Sequence, residues 1–176
     1  ETTLEPQPYW SAIDAARVQP DHRAGLEAVD GLEEVLDLAV GNQMVADVPI
    51  GAFLSGGIDS SSMVASMQRQ SSTPIRTFTI GFGEPGYDES NYAAEVASAL
   101  GTDHTELVVS PEDAMRVIPE LPIIYDEPFA DSSQIPTYLV SKMAREHVTV
   151  ALSGDGGDEL FGGYDRYQQI NRLERL

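Results

Sequence analysis

Apolar residues return every three or four positions from Leu26 to Met44 (Leu26, Val29, Leu32, Leu36, Val40, Met44), which predicts one helical face within 22–45. Asp47-Val48-Pro49 ends that pattern, and the short apolar run Ile50, Ala52, Phe53, Leu54 predicts a buried strand. The spacing turns helical again at once, with Ile58, Met63, Val64 and Met67 marking a helix over 58–70. After the turn Ser71-Ser72-Thr73-Pro74, Ile75–Phe82 reads as a second strand. Asp88 is the expected N-cap of a helix through Leu100, which Gly101 closes in the C′ position. His104–Val109 predicts a third strand, and Ser110-Pro111 the cap and first position of another helix. Residues 122–136 read as an acid-rich loop, followed by a helix at about 136–146. Val148–Leu152 predicts a fourth strand, and a last helix is expected from near Asp158 toward Leu176.

Strands alternating with helices imply an α/β fold with a mostly parallel sheet and right-handed crossovers. In such sheets ligands lie outside the carboxyl ends of the strands, here at Ser55, Gly81, Ser110 and Ser153. The order of the strands stays open. Residues 1–20, with Pro6, Pro8 and Pro20 and little periodicity, read as a linker.

Composition narrows the chemistry. At 176 residues the chain suits one domain with a real core. No apolar run has the length of a membrane span. A net charge of −19 speaks against nucleic acid or an anionic membrane as partner. The absence of cysteine rules out disulfides, thiolate metal sites and a cysteine nucleophile within these residues, and is compatible with the cytoplasm. Lys and Arg together number ten, with Lys142 the one lysine. An anionic ligand must therefore rely on backbone N–H groups and metal ions.

The first strand stops at Ser55-Gly56-Gly57 and a helix begins directly. The unpartnered N–H groups and dipole of a helix start make an anion site. Glycines at 56 and 57 allow positive φ and leave room for a phosphate, and Ser55 and Ser60 add hydroxyls. Asp59 would repel a polyphosphate unless a cation stands between them, as magnesium does with one or two carboxylates. No Gly-Lys-Ser/Thr follows, so this is not a Walker A loop. Ser153-Gly154-Asp155-Gly156-Gly157-Asp158-Glu159 repeats the architecture with acids in place of apolar residues. Either loop alone is compatible with a plain strand-to-helix turn. Together they are better explained as a phosphate loop and a facing loop of metal ligands.

Ser-Gly-Gly-Ile-Asp-Ser at 55–60 resembles the pyrophosphate loop of the ATP pyrophosphatases. With Phe-Thr-Ile-Gly-Phe at 78–82 and Ser-Gly-Asp-Gly-Gly-Asp-Glu-Leu-Phe-Gly-Gly-Tyr at 153–164, residues 20–176 resemble the synthetase domain of glutamine-dependent asparagine synthetases. The resemblance implies a three-layer fold of the adenine nucleotide α-hydrolase type. It implies an ATP-dependent, AMP-forming amide ligase that adenylates the side-chain carboxylate of aspartate, releases pyrophosphate, and lets ammonia displace AMP. Carried over, Ser55, Gly56, Gly57 and Ser60 would hold the pyrophosphate end, and Leu54, Ile80 and Gly81 would flank adenosine. Ser153 and Gly154 would touch the nucleotide from the other loop, and Asp59 and Asp158 would bind Mg2+. Asp155, where the family carries glutamate, would be catalytic. Tyr9-Trp10 resembles the stretch after the family's glutaminase domain, so residues 1–20 would be a linker from that domain and 21–176 the first part of the synthetase domain. The resemblance further implies ammonia from the glutaminase, a lysine downstream of Leu176, and a possible homodimer in the cytoplasm.

One departure bears on the acceptor. Loop 122–136 carries Asp126, Glu127 and Asp131 and no arginine, whereas a defined aspartate pocket has one around there. Two alternatives therefore stand beside asparagine synthesis: a related amidotransferase or β-lactam- or peptide-cyclising synthetase with another acceptor, and a nucleotide-binding module without catalysis. His104 and His147 lack ligand spacing and are expected to be structural, and His22 is expected at the surface. Tyr164 and Tyr167 are expected on one face of the last helix.

Overall fold

A computed structural model describes residues 6–18, 23–83 and 89–173. The elements are α1 (Ala12–Arg17), α2 (Leu26–Gln43), β1 (Ile50–Phe53), α3 (Ile58–Gln70), β2 (Arg76–Phe82), α4 (Ser90–Leu100) and β3 (Asp103–Val109). They continue with α5 (Pro111–Val117), a 3-10 turn (Ile118–Glu120), α6 (Leu121–Ile124), α7 (Gln134–Ala144), β4 (Val150–Leu152), α8 (Gly157–Phe161) and α9 (Asp165–Leu173). The chain divides into two units, 1–34 and 35–176. In the first, Ser11 caps α1 by accepting from the Asp14 N–H at 3.4 Å, and Arg17 pairs with Asp14 at 3.3 Å.

The second unit is built on a parallel sheet in the order β3-β2-β1-β4. β1 pairs with β2 from Gly51↔Arg76 to Phe53↔Phe78, and with β4 from Ile50↔Val150 to Ala52↔Leu152. The strands therefore run outward from β1 to β3, and the chain then returns to place β4 on β1's other edge. That reversal is a topological switch point, the place beyond the strands' carboxyl ends where open α/β sheets bind ligands.

Helices cover both faces, because the strands bury alternate residues on opposite sides. Ala52 and Leu54 pack with Val40, with Met63, Val64 and Met67 of α3, and with Ala93 and Ala97 of α4. On the other face Phe78 and Phe53 pack with Val140, Met143 and Ala144 of α7 and with Val148. Phe78 and Leu54 are about 1% exposed, and each such side chain contributes roughly 1.5–3 kcal/mol by leaving water. The three-layer α/β arrangement is the one expected.

Local departures have local causes. α4 takes Glu89 as its N-cap, without a side-chain cap bond, while the expected cap Asp88 lies outside the described residues. Gly101 closes α4 in the left-handed region as expected. The acid-rich loop is shorter than predicted: α6 uses Pro122 in its first turn, and α7 starts at Gln134 with Pro136 inside its first turn, where a missing N–H costs nothing. The last helix is two helices, because Gly162 adopts φ 70° and the Gly163 N–H closes on the Asp158 carbonyl at 3.0 Å.

Candidate functional site

The loop after β1 is held by its serines. Leu54 stays in the sheet, its N–H donating to the Phe78 carbonyl at 2.9 Å. The buried Ser60 hydroxyl accepts from the Ser55 N–H at 3.2 Å and donates to the Gly57 carbonyl at 3.2 Å. Ser55 Oγ lies 3.0 Å from Ser60 Oγ and accepts from the Gly57 N–H at 3.3 Å. Ser60 is thus spent on the shape of the loop, and Ser55 is its exposed hydroxyl. Gly56 takes φ +79°, and a Cβ there would lie 2.8 Å from the Ala93 nitrogen at the start of α4. Gly57 departs from expectation: as N-cap of α3 it has φ −69°, so it needs no left-handed freedom. A Cβ on Gly57 would meet only Ser55 Oγ, at 3.3 Å. Its absence keeps open the space in front of the first turn of α3, a thirteen-residue helix whose first N–H groups lack intrahelical partners.

The loop after β4 sits directly on that turn. A Cβ on Gly154 would lie 2.8 Å from the Ser60 nitrogen and 3.1 Å from the Asp59 carbonyl carbon. One on Gly157 would overlap the Asp59 carboxylate. The two glycine loops are therefore in contact across the switch point, and glycine at 154 and 157 is what lets them close. Asp59 makes no hydrogen bond or ion pair among the described residues, so its carboxylate is available to a ligand. Asp155 folds back on its own loop, accepting from the Ser153 hydroxyl at 2.9 Å, while its N–H donates to Ser153 Oγ at 3.4 Å. The Asp158 carboxylate lies where a Cβ on Gly163 would stand.

Two further acids are occupied. Tyr164 donates its hydroxyl to Glu159 at 2.7 Å, which holds the Glu159 carboxyl below its ordinary range and pushes the Tyr164 phenol up. Asp131 accepts from the Ser133 N–H at 2.8 Å, and that bond holds its carboxyl below the usual range. In the same loop Asp126 has φ 59°, an uncommon value for a residue with a side chain.

Among the predicted site residues, Ser55, Gly56, Gly57, Asp59 and Ser60 are brought together with Ser153, Gly154 and the Gly157 turn that leads into Asp158. Ile80 and Gly81 stand apart in β2, paired with Leu107 and Val108 of β3. They lie past Phe53↔Phe78, the last pair with β1, so the β1-side edge of β2 is free of strand pairing at this height. A cavity of about 610 Å³ opens farther out, between Phe82, Val108, Val109, Ser110 and Pro111, and contains none of the predicted residues. Sequence reasoning missed Tyr92 and Ala93, which wall the first loop, and the Gly163–Arg166 segment against α8. The first had no sequence signal. The second was signalled by the glycine pair. As expected, His104 and His147 stand elsewhere, while His22 lies outside the described residues: His104 accepts from or donates to Thr77 at 2.9 Å, and burial lowers its pKa. His147 stacks on Phe78.

The asparagine synthase family model matches residues 31–176. The chain belongs to the asparagine synthase family. It is 47% identical over 141 residues to asparagine synthetase [glutamine-hydrolyzing] 1 of Bacillus subtilis (strain 168), covering 78% of this chain and 22% of that protein. It is 46% identical over 167 residues to the putative asparagine synthetase [glutamine-hydrolyzing] 2 of Methanocaldococcus jannaschii, covering 94% of this chain and 32% of that protein. The chain thus spans between a fifth and a third of these curated relatives. The NH3-dependent NAD synthetase from Campylobacter jejuni shares the fold, with a TM-score of 0.53 at 13% identity over 77% of this chain and 60% of that one. That likeness fits the three-layer α/β fold. No helix among the described residues is long and apolar enough to cross a membrane.

Proposed function

We propose that this member of the asparagine synthase family forms the adenylating site of a glutamine-dependent asparagine synthetase. The observation that carries the reading is the meeting of the two glycine loops at the switch point, with Gly154 seated on the Asp59–Ser60 backbone. The first turn of α3, with Gly57 in front of it, receives the pyrophosphate end of ATP, and Ser55 supplies a hydroxyl. Ile80 and Gly81 meet adenosine through the unpaired edge of β2, and Leu54 and Gly56 fix the loop between them. Ser153 and Gly154 touch the nucleotide from the opposite side.

The donor set fits magnesium. Asp59 comes from one loop and Asp158 from the other, and no group of three or more His, Asp or Glu side chains that could hold a metal occurs among the described residues. Two carboxylates completed by phosphate oxygens and water are what magnesium takes, rather than a cage made by protein alone. Bound there, it would screen the phosphates from both aspartates.

An aspartate side-chain oxygen then attacks the α-phosphorus, the α–β bridging bond breaks, and pyrophosphate leaves. Ammonia attacks the resulting acyl carbon, AMP departs with the carbon–oxygen bonding pair, and the nitrogen loses a proton, giving asparagine. Asp155, between the nucleotide contacts and Asp158, meets the reacting carboxylate or the ammonia. In this reading residues 1–20 link to a glutaminase domain that supplies the ammonia, residues 21–176 begin the synthetase domain, and the protein works in the cytoplasm as a homodimer.

A second reading keeps the chemistry and changes the acceptor. Loop 122–136 supports it: no arginine is there to pair a second carboxylate, and Asp126, Glu127 and Asp131 would repel one. Exchange of labelled pyrophosphate into ATP by the full chain tests both. Exchange dependent on aspartate is expected. Exchange with another carboxylic acid alone selects the second reading, and binding of ATP without exchange leaves a nucleotide-binding module.

A further inference from the structure

α8 has five residues and carries two adjacent acids, Asp158 and Glu159, at the edge of a site that must admit a polyphosphate. The segment that follows engages both of them. Gly162 ends the helix at φ 70°, and the Gly163 N–H donates to the Asp158 carbonyl at 3.0 Å. Gly163 has no Cβ, and the Asp158 carboxylate fills the space one would take. The next residue, Tyr164, donates its hydroxyl to Glu159 Oε1 at 2.7 Å. Arg166, in the first turn of α9, lies over the Tyr164 ring at 4.1 Å and within 5.8 Å of the Tyr167 ring. The two rings pack against each other in a tilted pair at 5.7 Å. Glu159 thus has a hydrogen-bond donor on this segment, backed by a cation, whereas the Asp158 carboxylate only packs beside Gly163 and its backbone carbonyl alone accepts a bond there.

We propose that Tyr164 and Arg166 are positioning residues that tie Glu159 away from the phosphates, so that α8 presents Asp158 as its one ligand carboxylate. This rests on the placement of ATP and magnesium argued above. The physical need is clear in a chain of net charge −19, where Asp59, Asp155 and Asp158 already line the loops. A further free carboxylate would repel the phosphates or compete with Asp158 for the cation. A hydroxyl donor and a stacked guanidinium occupy Glu159 without adding a group that reaches the phosphates itself.

The test is calorimetric titration of the purified full chain with ATP in saturating magnesium. Tyr164→Phe removes the donor and keeps the ring, so affinity should fall about tenfold with an unchanged far-UV spectrum. Adding Glu159→Gln to Tyr164→Phe should restore at least half of the loss on a logarithmic scale, because the released charge is gone. A purely structural role for Tyr164 would give no rescue. Arg166→Gln serves as a second variant should Tyr164→Phe fold poorly, with the same rescue by Glu159→Gln expected and a smaller initial loss. Wild-type affinity in Tyr164→Phe, or a double variant no better than the single one, overturns the proposal. Failure of the wild-type protein to bind Mg-ATP would instead overturn the nucleotide placement, and this proposal with it.

Discussion

After β1 the chain turns on hydroxyls: Ser55 and Ser60 bond each other and the loop's own N–H and carbonyl groups, all within six residues. After β4 it turns on carboxylates and on contact with something distant. Asp155 closes on Ser153, Tyr164 holds Glu159, and Gly154 and Gly157 rest on the head of α3. The first loop is self-supporting and the second borrows its shape from the first. A rigid cradle of hydroxyls and backbone N–H groups suits an anion whose position must be fixed. Charged groups that face it gain from being adjustable, since a cation must settle between them.

The sharpest way to break this contrast is at neighbouring glycines of the first loop. Gly56→Val forces a β-branched residue into positive φ and against the α4 backbone, and should destabilise the protein by about 3 kcal/mol in urea unfolding. Gly57→Val meets no backbone and should cost about 1 kcal/mol as a poorer N-cap, yet abolish ATP binding in calorimetry. Equal stability losses would mean that Gly57 is structural too.

Asp155→Ala probes the second loop, with an effect on turnover rather than folding. A group needed at the reacting centre lowers kcat and kcat/KM together, so turnover in the full chain should drop about a hundredfold while ATP affinity changes less than about threefold. A parallel loss of ATP affinity would make Asp155 a loop-shaping residue through its Ser153 bond.

The smallest effect separates hydroxyl-held from carboxylate-held turns by acid, with the start of α5 as reference. There Ser110 and Asp113 form a reciprocal cap, and the Ser110 hydroxyl and N–H hold the Asp113 carboxyl below its ordinary value of 3.8. A depressed carboxyl stabilises the fold above that value, and the stabilisation is lost as pH falls from it through the folded one. Amide exchange at Ser110, whose N–H donates to the Asp113 carboxylate, should therefore quicken below about pH 4 relative to that at Gly57, whose acceptor is a hydroxyl. Parallel acceleration at both sites would refute the distinction.

What could be read from the chain followed the range of the interactions. The β1–α3 unit was legible because its strand period, glycine pair and helical period lie side by side, and α3 runs over 58–70 as expected. The conformation of Gly57 was not, since two adjacent glycines carry no mark of which one takes positive φ. The stretch from near Asp158 toward Leu176 reads as one helix, but the Gly163 N–H closes on the Asp158 carbonyl instead of continuing the ladder. The contact between the loops had no local signal. It follows from strand order, which rests on pairing between segments far apart in sequence, as does the closeness of Gly56 to Tyr92 and Ala93.

Among the described residues β4 is the last strand, and it pairs with the first. On the ribosome, the serine-held loop therefore emerges with its helix well before the strand that brings the opposing loop, and at about 5–20 residues per second it waits for seconds with one wall missing. Until β4 zips onto the free edge of β1, a nucleotide has half a site, and that edge is open to pairing with another chain. ATP that spans both loops would then act as a late clasp, favouring the docked β4 by mass action over the frayed edge. Protease cutting between α7 and β4, slowed by ATP and magnesium, would be the signature of that coupling.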